Sequence, residues 1–232
     1  QIVFEMSLDV PLKQKIEWAK ELLLPAGQTI KDLMSEEDYL RLYSYSIDSL
    51  KIKESRFNTY IKFKPLGFYS ALIPHVIGKK IEGYDMYFAK IAKKKKIPVA
   101  ELESFRIQMA IFDSIPLDEQ MDMFFADELN LHKEMAELLA MYKSQDIYEM
   151  VSLMDDEESE YKNFENDLLT QRNKNWVIKL DDLMREKSSF IAVGAGHLGG
   201  EFGLIQLLRE MGFQVEGICL IPECENNLTS NN

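Results

Sequence analysis

The chain has 232 residues, 46% hydrophobic and 28% charged, the composition of a globular protein long enough to bury an α/β core. Its formal charge of −12 at pH 7 argues against a nucleic-acid partner, because binding a phosphate backbone rests on lysine and arginine displacing counterions.

In chain order, residues 2–6 read as a strand, apolar with a polar tail. Gln1 therefore stands in what looks like the middle of an element, and the native start is expected upstream, which leaves localisation illegible from this end. Pro11 opens a helix with Ile16, Ala19, Leu22 and Leu23 on one face, ended by Pro25 and Gly27. Ser35, followed by Glu36, Glu37 and Asp38, is a capping-box-like start for a helix running to about Leu50. An aromatic-rich stretch at 57–69 follows. The apolar run at 66–78 is interrupted by Pro74 and His75 and falls short of the roughly 18 residues a membrane helix requires, so no transmembrane segment is expected. A helix at 84–95 carries the basic run Lys90 and Lys93 to Lys96, read as a solvated helix end with a polyanion site as the alternative. It leads into a second strand at 97–102.

From Pro116 to Lys187 nearly everything reads as helical, with helices at 117–143, 147–154, 158–171 and 173–185. The acids between Asp155 and Glu160 lack the alternating ligands and central glycine of a calcium loop and read as a solvated helix start. Residues 189–193 then form a buried strand, 194–199 a tight turn, 201–211 a helix capped by Gly212, and 214–218 another strand. Cys219 and Cys224 are too few for a cysteine zinc site, and a disulfide between them is left open.

Gly194, Gly196 and Gly199 match a dinucleotide fingerprint, but the ribose-binding acid and the further βα units are missing, so no nucleotide cofactor is expected. His197 in the same turn suggests other chemistry. In an open parallel sheet, ligands sit outside the carboxyl ends of the strands, where this chain places Glu5, Glu103 and His197. The plain alternative is two exposed strand ends and a hydrogen-bonded turn histidine.

The block Phe190-Ile-Ala-Val-Gly-Ala-Gly-His-Leu-Gly-Gly-Glu201, with Gly203-Leu-Ile-Gln-Leu-Leu208 and Gly212-Phe-Gln-Val215, resembles the C-terminal block of the TraB/GumN family. Gln171-Arg-Asn-Lys-Asn-Trp176, Val99-Ala-Glu-Leu-Glu-Ser104 with Gln108, and Ile2-Val-Phe-Glu5 are similar to its arginine, leucine-glutamate and early-strand segments. Softer likenesses at 24–33 and 113–116 extend the resemblance over nearly the whole chain.

The family is Tiki-like, in the erythromycin esterase/ChaN-like superfamily. The resemblance implies a metal-dependent peptidase-type hydrolase with two Gly-x-x-His motifs and acidic partners. Gly194 to His197 is similar to the second motif. The first is absent from these residues, because neither His75 nor His132 has a glycine three positions earlier.

The expectation is therefore one α/β domain over residues 1–232, a mixed or parallel sheet with large helical insertions and an N-terminal strand missing. Its candidate site has His197 as metal ligand, Glu5 as ligand or general base, Glu103 as an acid/base or supporting group, and Arg172 stabilising an oxyanion or carboxylate. A structural ion pair is the alternative for Arg172. Asn173, Asn175 and Trp176 read as capping and packing residues, and Asp85 is a faint candidate.

Manganese, cobalt or zinc is the expected cofactor, a peptide or small molecule the expected ligand, and an extracytoplasmic location the preference. The competing expectation is a non-catalytic protein that binds a ligand or partner on the same fold.

Overall fold

The computed structural model describes residues 1–7, 9–78, 82–125, 130–152 and 166–218. The acids at 155–160, Cys219, Cys224 and most of the helix expected at 158–171 lie outside the described residues.

Three strands, β1 (Ile2–Phe4), β2 (Val99–Glu101) and β3 (Phe190–Ala192), form a parallel sheet in the order β2-β1-β3. Parallel neighbours need long crossovers, and helices supply them. In chain order these are α1 (Leu12–Glu21), α2 (Glu36–Ser44), α3 (Glu54–Tyr60), α4 (Pro65–Ile77), α5 (Tyr84–Lys95), α6 (Phe105–Asp113), α7 (Leu117–Phe125), α8 (Leu131–Ser144), α9 (Ile147–Ser152), α10 (Arg172–Glu186) and α11 (Leu204–Glu210). The fold is α/β, a small parallel sheet with large helical insertions.

The chain divides into two compact units. One comprises Gln1–Met6, Lys96–Glu103 and the chain from Glu137 onward; the other comprises Ser7–Lys95 and Ser104–Ala136.

The first unit holds the sheet. Val3 aligns with Ala100 on one side and Ile191 on the other, so this row shares one face of the pleat. That face packs against a stripe of α10, Trp176, Val177 and Leu180 with Leu183 and Met184 behind, and against Leu204 of α11. The row one residue earlier is different: Ile2 is buried, whereas its partners Val99 and Phe190 are 45% and 50% exposed. All three strands end within two residues of a group of interest, Glu5 after β1, Glu103 after β2 and Gly194 after β3.

Among its described residues the regular elements of the second unit are helices, with one bridge between Leu23 and Phe63. Its core gathers Leu24, Ile30, Leu42, Leu50, Ile52, Leu72 and Met121 around an aromatic centre, in which Phe57, Phe68 and Phe125 meet edge to face. Ser35 caps α2 by accepting the Asp38 amide at 3.1 Å, which is the capping role its acids announce. Lys93 to Lys95 close α5 in its last turn, where Lys93 pairs with Asp9; Lys90, earlier in the helix, pairs with Glu82. Asp85 opens the same helix, its carboxyl raised above the ordinary value by burial.

Several expectations are corrected. Residues 213–218 form no strand, so the sheet has three described members instead of four and the expected βαβ unit ends at α11; Val215 instead accepts from Arg209 at 3.0 Å. The helix expected at 117–143 is two, α7 and α8. The helix from Ser35 gives way to a π-helical turn at Tyr45–Ser49. The aromatic stretch, for which the sequence pattern predicts no element, is largely helical, in α3 and α4, with Pro74 inside the latter. No residue of α1 is buried: Ile16 is 49% exposed, and contact is made instead by Trp18 stacking on Phe105.

No described helix is long and apolar enough to cross a membrane.

Candidate functional site

The carboxyl ends of the three strands and the first turn of α10 meet in the first unit. Glu103 is 6% exposed and Arg172 8%, a burial that charged side chains tolerate only when paired. Arg172 donates from Nε and Nη2 to Glu103 Oε1 at 2.9 and 2.6 Å, and from Nη2 to Glu5 Oε2 at 3.0 Å. The second Glu103 oxygen accepts the Trp176 indole N–H at 2.9 Å. Both Glu103 oxygens are thus committed. Glu5 Oε1 accepts the Gly194 amide at 2.6 Å and lies 3.9 Å from His197 Nε2.

The other side of His197 is fixed by Asn173. Asn173 donates its amide to the His197 and Phe202 carbonyls at 3.3 and 2.8 Å, and its Oδ1 lies 2.7 Å from His197 Nδ1. Trp176 packs on the imidazole with ring centroids 4.3 Å apart, and the Arg172 guanidinium lies 4.6 Å over the indole. One turn of α10 therefore carries three site residues, with Arg172 and Trp176 four apart on one face and Asn173 beside them.

Burial pulls His197 down from its ordinary 6.5 to about 3, and the Arg172 charge pushes the same way. The imidazole is neutral in the folded protein at pH 7, and in the unfolded chain it titrates near 6.5. The depressed folded value means that the full stability is present above about pH 6.5 and is lost as pH falls toward 3, at about 1.4 kcal/mol per pH unit. Urea unfolding of the wild type and His197→Gln across that window should differ by this slope. Parallel curves would contradict a buried neutral histidine.

The turn bearing His197 is shaped by close approach. Gly194 has ordinary dihedrals, but a Cβ there would sit 3.2 Å from Glu5 Oε1. At Gly199 it would stand 2.5 Å from the Ile147 carbonyl oxygen. Two glycines of the apparent dinucleotide fingerprint are thus accounted for by this chain's own packing. Beside the turn, Leu198, Gly200 and Glu201 line an open cleft of about 330 Å³ with Tyr148, Ile205, Gln206 and Arg209.

All four residues singled out in the sequence, Glu5, Glu103, Arg172 and His197, lie in one network. Their parts are unequal, because Glu103 is enclosed by Arg172 and Trp176, while Arg172 spends Nε and Nη2 on carboxylates. Asn173 and Trp176, read from the sequence as capping and packing residues, both touch the network. The signal was present in the spacing, since a polar residue and an indole one and four positions after a buried arginine share its helix face. Asn175 makes no described contact with the network.

Among the described residues no group of three or more His, Cys, Asp or Glu is arranged to hold a metal ion. Two described donors lie within reach of one ion, His197 Nε2 and Glu5 Oε1. Ligands each about 2.0–2.2 Å from an ion stand about 3.3–3.6 Å apart at a tetrahedral angle, so the separation of 3.9 Å would close by a few tenths of an ångström around a shared ion. Two carboxylates against one guanidinium leave one net negative charge, which also suits a cation.

A family model described as the TraB/PrgY/gumN family matches residues 1–217. No curated protein and no solved structure matches the chain.

Proposed function

Because the chain belongs to the TraB/PrgY/gumN family and brings a neutral histidine beside a glutamate at the ends of parallel strands, we propose that it is a metal-assisted hydrolase of the Tiki type, acting on peptide-like substrates. The observation that carries this reading is the pairing of His197 Nε2 with Glu5 Oε1 at 3.9 Å, on a ring whose other nitrogen is already engaged by Asn173. A histidine with so low a proton affinity is a poor general base at neutral pH, and its lone pair is better suited to a metal. An ion held by His197 and Glu5 would supply a Lewis acid and an acidified water.

The remaining residues serve those two. Arg172 and the Gly194 amide clamp the two oxygens of Glu5 and set its orientation. Trp176 and Glu103 hold Arg172 in place, and its Nε and Nη2 donors go to carboxylates, which supports a role in positioning Glu5. Leu198, next to His197 in the chain, lines the cleft through which a substrate would approach.

Open catalytic metal sites usually offer three protein ligands, so two donors imply weak binding. Calorimetric titration with cobalt, manganese and zinc should show weak uptake by the wild type and a loss of more than about tenfold in His197→Ala, and cobalt-dependent cleavage of a mixed peptide library should disappear with it. Equal metal uptake by both proteins would overturn the reading.

A second reading, a non-catalytic ligand-binding protein on the same fold, has its own supporting observation. Both oxygens of Glu103 and both of Glu5 already accept hydrogen bonds within the protein, so neither carboxylate of the network is left uncommitted to act as a general base.

A further inference from the structure

The geometry points to Asn173 as the residue that fixes the tautomer of His197, placing the proton on Nδ1 and leaving Nε2 as a bare lone pair facing Glu5. In the free side chain of a neutral histidine the proton can occupy either nitrogen, and the partner of one nitrogen decides what the other presents. Here the partner is an amide that could itself be turned, so its orientation must be settled first.

The two backbone carbonyls settle it. With Nδ2 toward the His197 and Phe202 carbonyl oxygens, Asn173 makes both of those bonds and turns Oδ1 to His197 Nδ1 at 2.7 Å. Oδ1 is an acceptor only, so the hydrogen in that contact comes from the ring. Turning the amide over would set Oδ1 against two carbonyl oxygens and remove both donated bonds. Keeping the amide but moving the proton to Nε2 would set two lone pairs facing each other at 2.7 Å. On the other side Nε2 would gain no hydrogen bond, because Glu5 Oε1 at 3.9 Å is beyond hydrogen-bond reach. Asn173 is 2% exposed and His197 5%, so water does not rescue either alternative.

Trp176 packs tilted against the ring and restricts its rotation, but it contributes neither donor nor acceptor to the imidazole nitrogens. The choice of tautomer rests with Asn173 alone among the described contacts. Asn173 is thus a positioning residue that acts through His197, the part an outer hydrogen-bond partner plays for a metal-ligating imidazole. The inference deepens the hydrolase reading by naming what aims its histidine, yet its test requires neither metal nor activity.

The test is nitrogen-15 NMR of the metal-free wild type at neutral pH, with the three histidines assigned by the loss of one set of signals in His197→Ala. Wild-type His197 should show a protonated Nδ1 and an unprotonated Nε2. In Asn173→Leu, similar in size but without an acceptor, that pattern should be lost, with proton density appearing on Nε2. A proton on Nε2 in the wild type would overturn the inference without any variant, and so would an unchanged pattern in a folded Asn173→Leu. Should Asn173→Leu fail to fold, the wild-type spectrum still decides between the two tautomers. Failure of the hydrolase reading looks different: wild type with the proton on Nδ1 that takes up no cobalt.

Discussion

Truncating Glu103 to alanine is expected to cost about 3–5 kcal/mol of stability, the range for removing one partner of a buried ion pair. The cost arises in what is left behind. Arg172 would keep only the Glu5 oxygen at 3.0 Å of its described carboxylate contacts, and the Trp176 N–H would lose the acceptor it has at 2.9 Å. Both groups sit where water cannot replace the lost oxygens, and an unpaired buried donor carries its full desolvation penalty. Removing both charges together tells the other half of the story: Glu103→Leu with Arg172→Met should be less destabilised than Glu103→Ala, because the buried guanidinium is gone along with its partner. The cost that remains is the Trp176 N–H without its acceptor and Glu5 without its cation. Urea unfolding followed by tryptophan emission and by circular dichroism measures all three proteins. A Glu103→Ala variant within about 1 kcal/mol of wild type would show that the pair is open to solvent, contrary to its burial.

Gly203→Ala is expected to have an effect of similar size for a purely steric reason. Its backbone is in an ordinary extended conformation with φ −70° and ψ 153°, so no unusual dihedral demands glycine. A Cβ there would lie 2.1 Å from the Gly199 carbonyl oxygen and 2.4 Å from that of Leu198, and backbone atoms cannot swing aside as a side-chain tip does. The loop must move, which places the cost at the upper end of overpacking, about 3 kcal/mol. His197 lies in the same loop, so metal uptake should fall along with stability. Gly212→Ala makes the control. It has φ +89° and open space around it, so it should cost only about 1–2 kcal/mol of backbone strain and leave metal uptake unchanged.

Much of the sheet was legible because short apolar runs bounded by glycine, proline or a charged tail leave few alternatives. Residues 2–4, 99–101 and 190–192 all lie within the strands expected there. The convergence of Glu5, Glu103 and His197 followed from a topological rule, since side chains at the carboxyl ends of parallel neighbours must come near one another. The rule fixes the neighbourhood and leaves the hydrogen bonding open. Whether Glu103 faces a ligand or an arginine depends on where α10 docks, a tertiary fact with no local signature. The missing strand at 214–218 failed for the opposite reason. Val215 and Ile218 look like strand residues, but β propensity reports fitness for a half-buried pleat, and Ile218 is 82% exposed. The unburied stripe on α1 has the same lesson, because periodicity shows that a face could be covered and says nothing about a cover being present.

The order in which the three strands are synthesised has a consequence for the birth of the protein. β1 is made first, β2 nearly a hundred residues later and β3 roughly another ninety after that, yet each pairs directly with β1. Pairings so distant in sequence must overcome loop-closure entropy before they return any stabilisation, which makes them slow. The intervening helical unit, Ser7–Lys95 with Ser104–Ala136, is complete on the ribosome before Arg172 has been added to the chain. Until then Glu5 and Glu103 lack their shared counter-ion, so the site is finished only once the last third of the protein emerges, and a nascent chain stalled short of Arg172 would carry two like-charged carboxylates at the ends of a sheet that still lacks β3.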